Sequence, residues 1–433
     1  MTVTIIGGGL AGCEAAYQLL RRGIPVVLYE MRPGLLTPAH KGGELAELVC
    51  SNSLRGASLE NAVGLLKEEM RRCGSLIMQA ADATAVPAGG ALAVDRHKFS
   101  AYIEARLEEF PALTLVRREV ADLPPGPVLI AAGPLASPAL SGLILELTGS
   151  RQLYFHDAIA PIVDAAGIDL DQAFFASRYG KGQGTDYLNC PFSREEYLAF
   201  YRELITARLH PLHDFEEKEK HFSGCMPIEA MARYGEDAIR FGPLKPVGLE
   251  LPGGGEAYAV VQLRKENAAA TMYNLVGFQT RLTQGEQRRV FRMIPGLQQA
   301  EFLRYGAMHR NTYINAPCLL DGELRLKAMP RLRFAGQITG VEGYVEAAAS
   351  GLLAGLFAAW EQQGRRLPPL PRESALGSLL AFCLTPQGDY QPMNINFGLF
   401  PPLEQRFRSK RDKYAALSQR ALGAMDSFAA QLE

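Results

Sequence analysis

TVTIIGGGLAGCEAAYQLLRRGIPVVLYE, residues 2–30, carries the clearest structural signal in this chain. An apolar, β-branched run leads into a G-x-G-x-x-G turn, and the Ala/Leu-rich helical segment that follows closes at Gly23, a typical helix-ending residue. A second apolar run ends at Glu30, eighteen residues beyond Gly12. The order of strand, glycine turn, helix, strand and acid predicts a dinucleotide-binding βαβ unit.

Each glycine of this turn has its own physical task. Gly7 makes the tight turn, Gly9 lets a pyrophosphate approach the backbone, and Gly12 lets the helix pack closely on the strand. The Glu30 carboxylate is placed to accept hydrogen bonds from the ribose hydroxyls of an adenosine. Together these features favour a bound dinucleotide over a chance glycine-rich turn.

The composition is that of an ordinary globular protein. The 433 residues give room for two or three domains, and 48% hydrophobic with 21% charged residues is typical of a folded chain. The N-terminus has no basic stretch before an apolar one, and no apolar run approaches the ~20 residues of a membrane span. We therefore expect a cytoplasmic location and no membrane contact. Because the formal net charge is −1, any polyanion must be met by local basic clusters.

The seven cysteines are scattered and include no C-x-x-C pair. This spacing argues against a disulfide scaffold, a zinc ribbon and a thioredoxin-like redox pair, and we expect no metal. A cysteine is most often a small buried hydrophobic residue. That is the expectation for five of them: Cys13, Cys73, Cys190, Cys318 and Cys383.

A second glycine-rich turn, GQITGVEGY at 336–344, follows a predicted strand and precedes a helix predicted over 345–361. A helix N-terminus there aims its partial positive charge at the ligand above it, which suits the negative charge of a reduced flavin. The alternative is a purely structural strand–helix turn. Two glycine-rich elements at opposite ends of one split fold favour FAD held along its length, because NAD alone needs only the first.

The dinucleotide fold is predicted to be discontinuous in sequence. Apolar strands typical of a buried parallel sheet recur at 128–132 and again at 333–336, whereas the stretch between them is rich in aromatic residues. The fold class is therefore α/β, a Rossmann-like FAD-binding domain with an inserted α+β substrate domain. The predicted limits are 1–150 for the first part of the FAD-binding domain, 151–300 for the inserted domain and 301–433 for the second part. Other predicted elements are a helix over 59–73, an alternating strand over 257–263 and a C-terminal helix from about 403 to 432.

Four further stretches carry a family resemblance: FAGQITGVEGYVE at 334–346, ELVCSNSLR at 47–55, MHRNTY at 308–313 and MNINFGLFP at 393–401. They resemble the signatures of the TrmFO family, the folate- and FAD-dependent tRNA (uracil-5-)-methyltransferases, which are related to the GidA/MnmG flavoproteins. The stretches span nearly the whole chain, so the resemblance is not confined to one borrowed domain. One small departure is Ala131-Ala132 before Gly133, where the family pattern has Ala-Thr.

The resemblance implies a methyltransferase that forms 5-methyluridine at position 54 of the tRNA T-loop. The carbon would come from 5,10-methylenetetrahydrofolate, and FAD reduced by NAD(P)H would supply the electrons. The residues predicted to bind the cofactor are Gly7, Gly8, Gly9, Gly12, Glu30, Arg32, Gly133, Gly336, Gln337, Gly340, Gly343 and Tyr344.

Two cysteines lie where a thiol can be activated. Uracil C5 is a poor nucleophile until a group adds at C6, and a thiolate adds and leaves readily. Cys225 directly precedes a helix predicted from Pro227 to Gly235, whose dipole favours the thiolate, and Cys50 lies in a polar turn with Arg55 nearby. The resemblance implies that one thiolate adds to C6 while the other assists at C5 or handles the methylene intermediate. We assign Cys225 to C6 and Cys50 to the partner role, and the opposite assignment stays open.

Folate and tRNA each have candidate residues. His309 and Asn311 of the MHRNTY stretch are predicted to bind folate. A flat pterin stacked on the flavin needs a planar group on its other face, and the His309 imidazole is the candidate. Without the resemblance, a single histidine is more often a hydrogen-bonded structural residue. Phosphate contacts are predicted at the basic start of the C-terminal helix, at Arg406, Arg408, Lys410 and Arg411. A second basic cluster comprises Arg288, Arg289 and Arg292. The ordinary explanation of either cluster is a solvated helix face.

Two other functions fit parts of the same pattern. A GidA/MnmG-like enzyme would share the cofactors but modify a wobble uridine, and the MNINFGLFP stretch and the short chain argue against it. A flavin-bound RNA-binding protein without chemistry would leave Cys50 and Cys225 replaceable. NADH and NADPH are not distinguished by the sequence.

Overall fold

The computed structural model describes residues 1–37, 39–149, 153–180, 182, 184–210, 226–387, 390–405 and 407–432, and for the strand residues 153–159 and 307–310 it describes the backbone. Its helices are α1 Leu10–Leu20, α2 Ala62–Arg72, α3 Leu76–Ala83, α4 Arg96–Glu108, α5 Pro138–Thr148, α6 Arg194–Thr206, α7 Ile228–Ala232, α8 Glu236–Arg240, α9 Gln284–Phe291, α10 Ala316–Leu319, α11 Tyr344–Gln362, α12 Ala375–Leu384 and α13 Lys410–Ala429. Its strands are β1 Val3–Ile6, β2 Val26–Tyr29, β3 Ser53–Gly56, β4 Ala85–Val86, β5 Ala91–Val94, β6 Leu113–Val116, β7 Val128–Ile130, β8 Leu153–Ile159, β9 Ile162–Asp164, β10 Phe174–Ala176, β11 Tyr187–Phe192, β12 Ala259–Lys265, β13 Met272–Leu275, β14 Phe302–Arg304, β15 Ala307–Tyr313, β16 Arg325–Leu326 and β17 Met329–Phe334.

A six-stranded sheet in the order β16-β17-β7-β1-β2-β6 forms the centre of the nucleotide-binding unit. The pairs from β17 to β6 are parallel, and β16 joins antiparallel at one edge. β1 and β7 are buried at every position, as expected for the inner strands of a parallel sheet. Because β17 pairs with β7 across about two hundred residues, the α/β prediction of one fold assembled from both ends of the chain is confirmed.

The helices α1 and α11 join the two parts of this split unit. Gly351 and Gly355 of α11 lie against Ala11 and Ala15 of α1. A Cβ added at Gly351 would lie 2.2 Å from the Ala11 carbonyl oxygen, so a side chain there would force the helices apart. The small residues on both helices therefore permit a close approach between segments more than three hundred residues apart.

A second six-stranded sheet, in the order β10-β11-β12-β13-β9-β14, is antiparallel; five of its strands lie within the predicted inserted stretch, and the edge strand β14 lies just beyond residue 300. It has its own hydrophobic core, in which the rings of Phe192, Phe200 and Phe278 pack in series. β8 and β15 pair with each other where the chain enters and leaves this unit. The exact domain limits at residues 150 and 300 stay predictions.

Several predicted element limits were wrong. The C-terminal helix expected from about 403 begins at Lys410, because the Ser409 hydroxyl accepts the Asp412 N–H and caps the helix there. The helix expected over 59–73 begins at Ala62, since the chain is still extended at the preceding residue. The strand expected at 257–263 runs over 259–265 and is buried almost throughout instead of alternating. The helix expected from Pro227 to Gly235 covers only Ile228–Ala232, with the proline as its cap.

Within the described ranges, no helix combines the length and the apolar character that a bilayer crossing requires.

Candidate functional site

A cleft open to solvent lies at the carboxyl ends of the parallel strands; its empty space, with the open solvent in its mouth included, is about 1020 Å³. Its wall includes the residues that follow four of these strands: Gly7 after β1, Glu30 after β2, Ala131 after β7 and Gly336 close behind β17. Ligands of open α/β sheets bind at this end, where the chain order of the strands reverses. β1 lies at that reversal, because its neighbours β2 and β7 continue the chain on opposite sides.

The first glycine turn has the geometry that its sequence requires. Gly7 adopts φ +108°, and a Cβ there would lie 2.6 Å from the Ala131 carbonyl oxygen. A Cβ on Gly12 would lie 1.9 Å from the Gly7 carbonyl oxygen, so the helix packs on the strand only without a side chain. At Gly9 an added Cβ would meet no atom within 4 Å, and this residue lines the cleft. The turn therefore presents bare backbone to a ligand.

Glu30 and Arg32 form a buried ion pair on the cleft wall. The Glu30 carboxylate accepts the Gly8 N–H at 2.9 Å and the Arg32 Nε at 2.8 Å, and Arg32 also donates to Glu47 at 2.9 Å. Burial opposes ionisation of Glu30, but the hydrogen bonds from Arg32 outweigh it and lower the pKa of that carboxyl. Glu30 is therefore charged, and each of its two oxygens already accepts two hydrogen bonds, from the Gly8 N–H and from the N–H, Nε and Nη2 of Arg32. A ribose hydroxyl would have to share these acceptors.

The second glycine turn contributes to the same cleft, and its Gly336 lies against Ala11 of α1. Gly336, Gln337 and Tyr344 line the cleft, as does Gly133 after β7. The other predicted glycines serve the turns themselves and are not part of the wall: Gly8, Gly12, Gly340 and Gly343. Gly343 is the N-cap of α11 and adopts φ +110°.

Cys50 is held directly beside this cleft by Tyr344. The tyrosine hydroxyl accepts the N–H groups of Cys50 at 2.7 Å and Ser51 at 3.3 Å, and it lies 2.9 Å from the Cys50 Sγ. Burial raises the pKa of Tyr344 well above its ordinary value, so this hydroxyl stays neutral. Arg55, expected near the thiol, forms an ion pair with Glu346.

The other cysteines divide by burial. Cys225 lies outside the described residues, so its predicted role stays a prediction. Four thiols are buried in the core, and burial raises the pKa of each of them: Cys13, Cys73, Cys190 and Cys383. The expectation of burial was wrong for Cys318, which is exposed on the four-residue helix α10. The described residues contain no grouping of three or more His, Cys, Asp or Glu side chains that could hold a metal ion.

The predicted folate residues lie on β15. The structure describes the backbone of His309 but not its side chain, whereas Asn311 is buried and pairs with Phe155. The N–H of the next residue, Thr312, donates to the Pro134 carbonyl at 3.0 Å, and Pro134 lines the cleft. β15 therefore passes along the edge of the cleft, and the folate contacts stay predictions.

The predicted basic clusters are only partly as expected. Arg406 lies outside the described residues, Arg408 precedes α13 and does not belong to it, and Lys410 is the first residue of that helix. Arg411 pairs with Glu60 of the chain itself at 2.7 Å. In the second cluster, Arg289 pairs with Glu286 and Glu203, and Arg292 donates to the Ala300 carbonyl. These two arginines are therefore engaged within the chain.

His40 lines the cleft and was missed by the sequence analysis. Its Nδ1 lies 2.6 Å from the Thr37 Oγ1, and burial lowers its pKa to about 4, so the imidazole is neutral near pH 7. It lies in an irregular loop ten residues beyond Glu30. Only the folded chain shows that this loop returns to the cofactor cleft.

Comparisons with known proteins give a consistent picture. A family model described as Glucose inhibited division protein A matches residues 2–366. Proteins named Methylenetetrahydrofolate--tRNA-(uracil-5-)-methyltransferase TrmFO are similar over nearly the full length of both chains. The one from Heliobacterium modesticaldum is 60% identical over 100% of this chain and 98% of its own, and the one from Enterococcus faecalis is 57% identical over 97% of each. Among solved structures, Aquifex aeolicus GidA superposes with a TM-score of 0.72 at 18% identity, over 100% of this chain and 73% of that one, which shows a shared fold.

Proposed function

The chain belongs to the TrmFO family of methylenetetrahydrofolate–tRNA-(uracil-5-)-methyltransferases, and from this premise we propose that it forms 5-methyluridine at position 54 of the tRNA T-loop, in the cytoplasm. It is a flavoprotein methyltransferase whose substrates are tRNA and folate. We propose NAD(P)H as the source of electrons. The observation that supports a site for this chemistry is the Cys50 thiol, 2.9 Å from the hydroxyl of a tyrosine that itself lines the cofactor cleft.

The residues of the cleft fit FAD. Bare backbone at Gly7 and Gly9 leaves room for a pyrophosphate, and the ionised Glu30 suits the ribose of the adenosine half. The part of the cleft lined by Gly336, Gln337 and Tyr344, where α11 begins, would receive the isoalloxazine half, because a helix N-terminus favours negative charge. When bound, the flavin supplies the electrons that reduce the folate-derived methylene carbon to a methyl group.

The cysteines supply what the flavin does not, which is activation of the uracil ring. A thiolate that bonds to C6 makes C5 nucleophilic toward the methylene carbon. After the new carbon–carbon bond forms, a base takes the C5 proton and the bond from the methylene carbon to the folate nitrogen breaks, which releases tetrahydrofolate. A hydride equivalent from the reduced cofactor then completes the methyl group, and departure of the thiolate from C6 restores the ring double bond. We propose Cys225 for the C6 addition and Cys50 for the partner role beside the cleft.

The remaining substrate contacts follow the same proposal. His309 and Asn311 on β15 would contact the pterin, since this strand runs along the cleft edge through the Thr312 contact to Pro134. The basic residues near the start of α13 would contact tRNA phosphates: Arg406, Arg408, Lys410 and Arg411.

The decisive experiment is a reaction on unmodified tRNA transcript with 5,10-methylenetetrahydrofolate labelled in its methylene carbon, and with NADH or NADPH. Nucleosides are analysed by mass spectrometry for the wild type, Cys225→Ala, Cys50→Ala and the matched control Cys318→Ala, which removes an exposed thiol. We expect labelled 5-methyluridine from the wild type and the control only, and none from a transcript with cytidine at position 54.

Each of the other results removes a defined part of the proposal. Label in a transcript with cytidine at position 54 would show a different target uridine. Full activity of either the Cys50 or the Cys225 variant would remove that cysteine from the chemistry. Absence of label from FAD-loaded wild type with intact substrates would refute the reaction for this chain.

A further inference from the structure

The segment that carries Cys50 is anchored to the inserted unit by Arg264. This arginine lies in β12; its Nε donates to the Asn52 Oδ1 at 2.9 Å and its Nη2 to the Ser51 Oγ at 2.6 Å. The Asn52 amide in turn donates to the carbonyl oxygens of Lys265 and Val94, at 2.9 Å each. The two residues that follow the thiol are therefore tied to β12 of one unit and β5 of the other.

Two further groups hold the same segment from other sides. Arg96 donates to the Leu48 carbonyl, two residues before the thiol, and forms an ion pair with Glu266 at 2.7 Å. The Tyr344 hydroxyl accepts the Cys50 N–H. Hydrogen bonds thus fix the backbone before, at and after the cysteine. We call the three residues that make them, Arg96, Arg264 and Tyr344, the clamp; they are far apart in sequence.

The charge around this clamp is positive. Three guanidinium groups, those of Arg96, Arg264 and Arg304, act electrostatically on the Cys50 thiol. The acid facing them is Glu266, which is paired with Arg96, and Tyr344 is neutral. Arg264 is only 7% exposed. In the part of the chain that the structure describes, no carboxylate lies within ion-pair distance of its guanidinium group. Glu266 is the acid that acts most strongly on Arg264, but it is shared with Arg96. Because a buried cation that is only partly compensated is costly, the site favours a neighbouring group that can take a negative charge.

We propose that Arg264 is a positioning residue that fixes Cys50 at the cofactor cleft and stabilises its thiolate. The cysteine is the group that can acquire the missing negative charge, because a thiol ionises far more readily than a buried tyrosine. The arginine belongs to the inserted unit, so the reactive form of Cys50 depends on docking of that unit against the cofactor-binding unit. This inference rests on the proposed function in one respect only, which is that methyl transfer is the reaction in which the Cys50 thiolate takes part.

The test is the pH dependence of alkylation by iodoacetamide, measured on the FAD-loaded enzyme without folate or tRNA. Trypsin releases residues 42–55 as a peptide in which Cys50 is the one cysteine, so mass spectrometry follows this thiol separately. The variants are Arg264→Gln, Arg264→Lys and the control Arg208→Gln, which alters an arginine of the inserted unit whose side chain is 85% exposed.

We expect Arg264→Gln to raise the alkylation midpoint by about one pH unit, the lower end of the effect of a nearby opposite charge. Arg264→Lys keeps the positive charge, so its alkylation midpoint should stay close to that of the wild type. Its Cys50 should be alkylated faster at high pH, because one ammonium group does not replace the two hydrogen bonds that the guanidinium donates to Ser51 and Asn52. The control should match the wild type. An unchanged midpoint in Arg264→Gln with flavin retained would overturn the proposal. If that variant loses its flavin, a wild-type rate for Arg264→Lys would overturn it instead.

The result is separable from the fate of the proposed function, because no methyl transfer is measured. Full methylation by Cys50→Ala would remove the catalytic role of Cys50, whereas a shifted midpoint in Arg264→Gln would still establish the clamp.

Discussion

Replacement of Gly12 by alanine should strongly reduce both FAD retention and stability. The added Cβ would lie 1.9 Å from the Gly7 carbonyl oxygen, about 1.5 Å short of an ordinary van der Waals contact. Because the obstacle is backbone, no side-chain rotation relieves the clash, and either α1 or the turn must move by that amount. Every residue of α1 is buried, so the movement also disturbs the core. Overpacking of a core costs roughly 1–3 kcal/mol, and we expect the upper part of that range.

The same displacement should reach the cofactor, since Gly7 and Gly9 form the wall that a pyrophosphate would contact. The assay is the flavin absorbance per mole of purified protein, together with the urea unfolding free energy after FAD saturation. The matched control is Gly423→Ala in α13, where an added Cβ meets no atom within 4 Å. There alanine should stabilise the helix by roughly 0.5–1 kcal/mol and leave the flavin content unchanged.

The reasoning would be refuted by a Gly12→Ala protein with wild-type flavin content and unchanged unfolding free energy. Such a result would mean that the backbone at Gly7 can move enough to accommodate a Cβ on Gly12, despite the 1.9 Å separation.

Two further predictions concern buried charges. Arg32→Met leaves Glu30 and Glu47 without the cation that lies 2.8 and 2.9 Å away, and removing one partner of a buried ion pair should cost about 3–5 kcal/mol in urea unfolding; an unchanged unfolding free energy would contradict this. Glu69 accepts the N–H groups of Ala375 and Leu376, and burial raises its pKa from 4.5 to about 8. The native state thus keeps a proton that the unfolded chain has lost between these values, so the unfolding free energy should fall as pH rises through that window. Glu69→Gln should lack this contribution, and parallel pH curves for variant and wild type would count against it.

Much of the nucleotide-binding unit was predictable because its determinants are local. The spacing of Gly7, Gly9 and Gly12 determines the backbone of one turn, and the length of the apolar runs on either side predicts the strands. The later apolar segments at 128–132 and 333–336 share the character of buried parallel strands, which was enough to predict that the fold is split. Element ends were less predictable: the C-terminal helix begins at Lys410 because of a cap at Ser409, and the preceding residues have no strong helix-breaking signal of their own.

The sequence by itself determined the α/β class, the dinucleotide turn and, through Cys50 in its polar stretch, one residue beside the cleft. The tertiary structure alone determined which distant groups surround that residue: Tyr344 at the start of α11, Arg96 at the start of α4 and Arg264 in the inserted sheet. It also brought His40 to the cleft. The physical reason is that turn geometry and strand burial depend on neighbours a few residues away. Charge compensation and hydrogen bonding around a half-buried thiol depend on groups that meet only when both units have packed together.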